Sequence, residues 1–218
     1  MGRNHDAPRN LRRGHGVRKE KRVIRVLTEG EVTEVEYVNA LRRLPQIRER
    51  FHLETDNKHG APGTLVKEAV NLMRKDREID RCWCLFDVEW PRTNPQAHHP
   101  SLPEAIRLAK AHDGVAVAVS NPTFEYWLVL HHRRTTTFLC NEDAESLRHQ
   151  LDGSNGKALD GAAHGIRYDG AWYASHCATA CINAEQVSQR HHVDGRTFPD
   201  DNPSSTMPAF IRELGLSQ

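Results

Sequence analysis

The chain has 218 residues, and the 38% that are hydrophobic are enough to form the core of one domain. Its formal net charge of +1 does not single out a polyanionic partner. The sequence has no apolar run near the ~18 residues of a membrane span and no apolar segment behind its basic start, so we expect a cytoplasmic protein that does not bind a membrane.

The first segment, residues 1–22, carries eight basic side chains against two acidic ones. A segment of this kind is either a solvated, flexible arm or an arm that holds a nucleic-acid backbone. The sequence leaves both interpretations open.

Four short apolar segments then alternate with helical patterns. The predicted strands lie at residues 22–28, 51–55, 82–86 and 115–119, and the helical patterns that follow them lie at 33–44, 65–73, 103–111 and 124–131. Thr33 and Glu36 have the spacing of a capping box at the start of the first helix. The third strand segment, CWCLF, is apolar throughout, which is typical of a strand buried on both faces. The alternation predicts an α/β fold with a four-stranded parallel sheet flanked by helices.

Beyond residue 132 this alternation weakens. Helices are predicted near residues 142–151, 171–190 and 205–214, with a polar, glycine-rich stretch at 152–170. We therefore divide the chain into the basic arm at 1–22, an α/β core at 23–132, and a mostly helical C-terminal extension at 133–218 that packs on the core.

Three acidic side chains directly follow predicted strands. Glu29 comes after the first strand, and Asp87 and Glu89 come after the third, two residues apart, so that an extended backbone directs both to one side. Functional groups of open parallel sheets gather at the carboxyl ends of the strands, so we expect these carboxylates on one rim. Oxygen ligands of this type suit Mg²⁺ or Mn²⁺, which support phosphoryl chemistry. The alternative is structural, because acidic residues in such loops also cap helices and pair with helix dipoles.

Four further residues are candidates for substrate binding. Asn121 ends a strand and Glu125 lies in the first turn of the next helix, so they either orient substrate and metal-bound water or serve as helix cap and dipole partner. Lys58 and Arg92 lie in predicted loops at the same rim and either contact phosphate or are solvated. His131, at the end of that helix, is predicted to act as a charge partner of the helix C-terminus.

Four blocks of the sequence resemble signatures of the RloB family. Residues 26–37, VLTEGEVTEVEY, resemble its opening TEGxxTExxY motif, and residues 85–89, LFDVE, fall where the family has a hydrophobic strand and an acidic DxD pair. Residues 120–131, SNPTFEYWLVLH, resemble its SNPxFExWLLLH block, and residues 202–206, NPSST, resemble its NPST box. The ordered blocks cover nearly the whole chain.

RloB proteins are similar to the Toprim domains of topoisomerases, primases and overcoming-lysogenization-defect nucleases. The resemblance therefore implies a Toprim-like sheet, with Glu29 as general acid or base and with Asp87 and Glu89 as ligands of Mg²⁺ or Mn²⁺. The chain departs from that pattern at Glu89, where the family's second acid is Asp, and at Trp90, where another acid is often found. Glutamate is longer by one methylene and still ligates Mg²⁺, so the departure bears on the geometry and activity of the site more than on the fold.

The resemblance also implies a biological setting. RloB genes often lie in restriction–modification and phage-defence loci, and a related Toprim effector of another defence system cleaves transfer RNA. We therefore expect a metal-dependent nuclease of abortive infection that cuts RNA, with transfer RNA as one candidate, or DNA, and that has a defence protein as a candidate partner. The rival expectations are a non-catalytic subunit that binds nucleic acid or a partner protein, and a hydrolase of small phosphates. The sequence does not indicate an oligomeric state.

Overall fold

The computed structural model describes residues 20–56, 58–94 and 100–217. The strands are β1 (Arg22–Thr28), β2 (Phe51–Thr55), β3 (Arg81–Asp87), β4 (Val115–Asn121), β5 (Asp160–Ala163), β6 (Ile166–Asp169) and β7 (Ser204–Ser205). The helices are α1 (Thr33–Arg43), α2 (Pro45–Arg50), α3 (Pro62–Lys75), α4 (Leu102–Lys110), α5 (Phe124–His132), α6 (Asn141–Asp152), α7 (Gly170–Ser175), α8 (Cys177–Val193) and α9 (Met207–Glu213). Residues 1–19 of the predicted basic arm lie outside the described residues. Within the described ranges, no helix combines the length and the apolar character needed to cross a membrane.

The main sheet has five strands in the order β2-β1-β3-β4-β7. The first four pair in parallel, as the alternation of strands and helices predicts. The fifth strand corrects the predicted four-stranded parallel sheet, because β7 pairs antiparallel with the end of β4 at Ser120 and Asn121. A strand of two serines directly after Pro203 has no hydrophobic pattern, so the sequence does not indicate it. The fold is therefore α/β with a mixed, mostly parallel sheet flanked by helices.

Helices cover both faces of the main sheet because successive strand residues point to opposite sides. In β3, Trp83 and Leu85 pack into one core with α1, α2, α5 and the helices of the C-terminal extension. Cys82, Cys84 and Phe86 pack into the second core with α3 and α4. The strand is thus buried on both faces, which confirms the interpretation of its continuous apolar run.

The helices of the C-terminal extension share the core of the sheet. Helices α6 and α9 match the predicted segments, and the predicted helix at 171–190 is divided at His176 into α7 and α8. Inside the polar stretch at 152–170, β5 and β6 form an antiparallel hairpin, whose turn residues His164 and Gly165 have φ values of 51° and 78°. Gly161 allows this hairpin to approach α6, since a Cβ there would lie 2.4 Å from the Asp152 carbonyl oxygen.

The NPSST block of residues 202–206 joins the extension to the edge of β4. The Asn202 side chain accepts a hydrogen bond from the Leu139 amide and donates one to the Leu139 carbonyl, both at 3.0 Å. The Thr206 amide donates to the Val119 carbonyl at 2.9 Å, and the Val119 amide donates to the Thr206 hydroxyl at 2.8 Å. The block therefore pairs backbone groups that an uncovered edge of β4 would leave open.

Candidate functional site

A pocket of about 320 Å³ opens at the carboxyl ends of β1 and β3. The chain leaves β1 for α1 on one face of the sheet and leaves β3 for α4 on the other, so these strands form the switch point at which open α/β sheets bind their ligands. Among the described residues, seven acidic side chains line the pocket: Glu29, Glu31, Glu34, Asp87, Glu89, Glu125 and Glu145. The structure thus brings the three predicted carboxylates, and Glu125 with them, into one pocket.

The loop between β1 and α1 fixes two of these carboxylates through backbone amides. The Glu29 amide donates to the Leu85 carbonyl at 3.0 Å, and Glu29 Oε2 accepts a hydrogen bond from the Asp87 amide at 3.0 Å. The Glu34 carboxylate, in the first turn of α1, accepts a hydrogen bond from the Gly30 amide at 3.0 Å. A Cβ at position 30 would lie 2.3 Å from Glu34 Oε2, so glycine is what allows this carboxylate to close over the loop.

Asp87 and Glu89 reach the pocket from different backbone conformations. Asp87 is the last residue of β3, whereas Glu89 has a left-handed φ of 64°. The expectation that an extended backbone aligns the two side chains is therefore wrong for Glu89. Its amide donates to the Pro122 carbonyl at 3.0 Å, and the next amide, of Trp90, donates to Asn141 Oδ1 at 2.7 Å. These contacts hold a conformation that is uncommon for a non-glycine residue.

The start of α5 contributes a hydroxyl group and a carboxylate. Thr123 precedes the first turn of α5, Glu125 lies within it, and both line the pocket. Thr123 is 8% exposed, and its Oγ1 has no hydrogen-bond partner in the described part of the chain. A buried hydroxyl without a partner costs about 1–3 kcal/mol, so Thr123 offers a ligand a donor and an acceptor that the protein does not use.

The electrostatics of the pocket are those of crowded like charges. Burial raises the pKa of Glu29 to about 7, where the charges of Glu89 and Glu34 add to the rise and the hydrogen bond from the Asp87 amide opposes it. A carboxylate at this position therefore exchanges its proton near neutral pH.

Asp87 is affected in the same direction. Burial raises its pKa well above the usual value, and the charges of Glu34, Glu125 and Glu29 raise it further, against a hydrogen bond from the Phe124 amide. Each ionised carboxylate of the pocket thus makes the next one harder to ionise. A bound cation would remove this penalty.

The donors of the pocket suit a hard cation by their chemistry. They are carboxylate and hydroxyl oxygens, which Mg²⁺ and Mn²⁺ prefer. Across residues 20–56, 58–94 and 100–217, however, no group of three His, Cys, Asp or Glu side chains is arranged to hold a metal ion. Ligation of one cation therefore requires the carboxylates to move closer together, and the cation's charge favours that movement.

The C-terminal extension supplies Lys157, the one basic side chain among the described residues that line the pocket. Burial raises the pKa of Glu34, and the charge of Lys157 opposes that rise. The predicted capping-box residues of α1 bind this loop instead of capping their own helix. The Thr33 hydroxyl donates to the Lys157 carbonyl at 2.8 Å, and the Glu36 carboxylate accepts from the Leu159 amide at 2.7 Å. Tertiary partners 124 and 123 residues away replace the local cap.

A buried ion pair at the end of α6 supports the same loop. The side chains of Arg148 and Asp152 are 0% exposed and pair at 2.9 Å. The two terminal nitrogens of Arg148 donate to the carbonyls on either side of Lys157, at 2.8 Å to Gly156 and 2.5 Å to Ala158. The guanidinium group therefore bridges the helix and the loop.

Asp152 has hydrogen-bond donors on both oxygens. One accepts from the Ser154 amide at 2.8 Å and the Ser154 hydroxyl at 2.6 Å, and the other accepts from the Tyr173 hydroxyl at 2.8 Å. Burial alone raises the pKa of Asp152, but these hydrogen bonds and the charge of Arg148 outweigh it and lower the pKa below its usual value. We call Arg148, Asp152, Ser154 and Tyr173 the buried network.

Asn121, a predicted substrate-binding residue, is turned towards the C-terminal extension. Its Nδ2 donates to the Pro199 carbonyl at 2.8 Å and to Asp201 Oδ1 at 3.2 Å. It is buried and lies outside the lining of the pocket, so the contacts that the structure gives it are structural.

Lys58 and Arg92, the predicted phosphate contacts, form surface ion pairs away from the pocket lining. Lys58 pairs with Glu68, and Arg92 pairs with Asp143 at 2.6 Å. The structure does not bring either cation to the acidic pocket, and their binding of substrate stays a prediction.

His131 is not a charge partner of the helix C-terminus. It is buried, with its Nδ1 2.9 Å from the Trp127 carbonyl and its Nε2 3.2 Å from the Tyr37 hydroxyl. Burial lowers the pKa of His131 to about 3, so the ring is neutral and forms part of the core.

Comparison with known protein families identifies the family of the chain. A family model described as RloB-like protein matches residues 24–214. The chain belongs to the RloB-like family. No curated protein and no solved structure matched the chain. In this RloB-like chain, the opening TEG block supplies Glu29, Gly30 and Glu34 to the pocket, and the SNPTFE block supplies Thr123 and Glu125.

Sequence reasoning missed three residues of the acidic pocket. Glu34 is the last acid of the TEGEVTE block and lies on the buried side of α1, so its signal was present as a charged residue on the core-facing side of a helix. Thr123 follows Asn121-Pro122, and the sequence does not show that its hydroxyl lacks a partner. Lys157 lies in a polar, glycine-rich stretch, where no local pattern distinguishes it from a solvated lysine.

Proposed function

We propose that this RloB-like protein is a divalent-metal-dependent nuclease that hydrolyses phosphodiester bonds at the acidic pocket. The proposal is carried by one observation: Glu29, Asp87 and Glu89 extend from the ends of two adjacent parallel strands into one pocket at the switch point. We further propose that the sheet is of the Toprim type. This is supported by the acid after the first strand and the acidic pair after the third, which are the positions that the family resemblance assigns to the site.

In this proposal Asp87 and Glu89 hold Mg²⁺ or Mn²⁺, with Glu29 beside them as a third carboxylate and as general acid or base. The ion supplies a Lewis acid that lowers the pKa of water and balances charge on the phosphoryl group. Glu29 accepts a proton from the attacking water or returns one to the leaving oxygen. Its pKa of about 7 belongs to the metal-free pocket, and a bound cation lowers it. The Thr123 hydroxyl is available to a phosphate oxygen or a metal-bound water.

We favour RNA as the substrate, with transfer RNA as a candidate and DNA as the second choice, and cytoplasmic phage defence by abortive infection as the setting. Family membership supports this part of the proposal. The acidic pocket does not discriminate between nucleic acids, because its chemistry is directed at phosphate and metal and not at bases.

Cleavage assays on the purified full chain test the proposal. Labelled RNA and DNA are incubated with Mg²⁺, with Mn²⁺ and with EDTA, for wild type, Asp87→Asn and the control Asp113→Asn. Asp113 is exposed and lies before β4, at the opposite end of the sheet from the pocket. We expect metal-dependent cleavage that falls at least about a hundredfold in Asp87→Asn and is unchanged in Asp113→Asn. Equal cleavage by wild type and Asp87→Asn, or cleavage in EDTA, would count against the site.

A non-catalytic nucleic-acid-binding or partner-binding subunit is the second candidate. It is favoured by the left-handed Glu89, which stands where the family has Asp, and by the absence of a ready three-ligand set among the described residues. Calorimetric titration with Mn²⁺ separates the two candidates. Metal binding together with cleavage supports the nuclease, and nucleic-acid binding with neither supports the subunit.

A further inference from the structure

Lys157 lies in the loop between α6 and β5, at the edge of the acidic pocket. Its side chain is exposed, and the residue lines the acidic pocket. In the described part of the chain its ammonium group forms no salt bridge or hydrogen bond, so its donors are available. The extension thus presents a free cation to a pocket otherwise lined by acids.

The backbone around Lys157 is held at four consecutive residues. Arg148 binds the carbonyls of Gly156 and Ala158, and Thr33 binds the carbonyl of Lys157 itself. The following amide, of Leu159, donates to the Glu36 carboxylate. A loop that only carried a solvated lysine would not need contacts from two helices, since exposed loops satisfy their backbone groups with water.

Arg148 and Asp152, which support this loop, are charged groups that are costly to bury. Burying the charges of Arg148 and Asp152 carries a desolvation penalty that their attraction repays only when the remaining donors and acceptors are also bonded. In the buried network, two of those donors are used on the carbonyls that flank Lys157. The network therefore fixes the backbone from which the Lys157 side chain extends beside the pocket.

A simpler role for Lys157 is to balance the charge of Glu34. One lysine does not balance seven lining acids, even where raised pKa values keep protons on Glu29 and Asp87, so charge balance alone is not achieved. A nucleic-acid strand that approaches the pocket meets repulsion from these acids, and the Lys157 ammonium group is the one positive charge that the described lining of the pocket offers it.

We propose that Lys157 is the phosphate-binding residue of the pocket, and that it contacts a backbone phosphate of a nucleic-acid strand from the side of the C-terminal extension. The proposal rests on the proposed function only in requiring that a phosphodiester strand enters the acidic pocket, and it does not require that the strand is cut. The C-terminal extension is then part of the substrate site.

Equilibrium binding of a short, fluorescein-labelled single-stranded RNA tests this role. Fluorescence anisotropy is followed over a series of salt concentrations, with Ca²⁺ in place of Mg²⁺ and with the integrity of the probe checked on a gel. The variants are Lys157→Ala, Lys157→Arg and the control Lys110→Ala. Lys110 is an exposed lysine at the end of α4, on the opposite face of the sheet from α1.

We expect Lys157→Ala to weaken RNA binding about tenfold and to reduce the log–log salt slope by about 0.7, because one phosphate contact is lost. Lys157→Arg keeps the charge and should recover most of the affinity. Lys110→Ala should bind as wild type does. Mn²⁺ affinity, measured by calorimetry, should be equal or higher in Lys157→Ala, and the thermal unfolding midpoint should be unchanged.

Unchanged RNA affinity and salt slope in Lys157→Ala would overturn the proposal and leave Lys157 as a counter-charge of Glu34. RNA binding that depends on Lys157 without any cleavage would support it while the nuclease proposal fails. Metal-dependent cleavage by the wild type together with full RNA affinity in Lys157→Ala would support the nuclease proposal and overturn the Lys157 proposal. A wild-type chain that does not bind the RNA would overturn the Lys157 proposal, and one that also cuts neither RNA nor DNA would overturn both.

Discussion

The buried network and the acidic pocket both enclose carboxylates, but the groups around those carboxylates shift their pKa values in opposite directions. Asp152 faces Arg148 and accepts three further hydrogen bonds, and its pKa is lowered. Asp87 faces other carboxylates, and its pKa is raised. Burial is common to both, so partners decide whether a buried carboxylate stabilises the fold. The network is completed by the chain itself, whereas the pocket is completed by whatever positive charge enters it.

The largest effect should come from breaking the network. Arg148→Ala leaves Asp152 buried without its counter-charge and should lower the free energy of unfolding by about 3–5 kcal/mol. Urea denaturation followed by circular dichroism measures this. The matched control is Arg167→Ala, because Arg167 is 77% exposed and pairs with Asp169 on the surface, where removal should cost no more than about 1 kcal/mol. A loss under about 1 kcal/mol for Arg148→Ala as well would mean that the network does not support the fold.

The raised pKa of Glu29 in the pocket should make the free energy of unfolding depend on pH. Glu29 holds its proton up to a pKa of about 7 in the folded chain and releases it near 4.5 when unfolded, so the folded state binds more protons between these values. Without metal, stability should therefore fall as pH rises through that window, by at most about 1.4 kcal/mol per pH unit for one group. Glu29→Gln should lose less stability across the window than wild type does.

The control for this comparison is Glu49→Gln, which removes an exposed glutamate of α2. Its pH profile should follow that of wild type. Unfolding curves are recorded in EDTA, so that cation binding does not mask the effect. Parallel profiles for wild type and Glu29→Gln would show that the pocket carboxylates are not crowded in solution.

The smallest effects, about 1 kcal/mol each, should have opposite signs in the two regions. Thr123→Val replaces a buried hydroxyl that lacks a partner among the described residues, and should stabilise the chain by about 1 kcal/mol. Ser154→Ala removes a hydroxyl that donates to Asp152 at 2.6 Å and should destabilise it by about the same amount. Chemical denaturation of both variants gives the comparison directly. Two changes of the same sign would remove the distinction between a satisfied and an unsatisfied region.

The parallel part of the sheet was predictable because local pattern and tertiary environment agree there. The CWCLF run and the β-branched segment at 22–28 are buried where their apolar character requires. The two-residue strand β7 and the hairpin of β5 and β6 were not predictable in this way. They are only two to four residues long, and they depend on partners elsewhere in the fold, such as the Val119 backbone and the end of α6.

The candidate site also contains residues that local pattern predicts and residues that depend on distant contacts. Glu29 and Asp87 directly follow strands, so strand order alone predicts their common rim. Glu89 reaches the pocket through a left-handed backbone that a residue pattern does not report. The backbone from Gly156 to Leu159, which carries Lys157, is held by Thr33, Arg148 and Glu36, and the residues next to Lys157 in the sequence do not indicate these contacts. Thr33 and Glu36 have the spacing of a local helix cap, but their hydroxyl and carboxylate groups bind the backbone of Lys157 and Leu159 instead.

The bond between Thr33 and the carbonyl of Lys157 joins residues 124 positions apart and has a consequence for the order of folding. Contacts of this separation form only after a long loop has closed, so the pocket cannot exist in a growing chain that has reached only the end of α5. The strands that carry Glu29 and Asp87 are synthesised early, while the loop that completes their surroundings follows later. A half-made chain therefore has six of the seven pocket acids, all but Glu145, without Lys157, and the pocket is completed only after α6 and the loop behind it have been made.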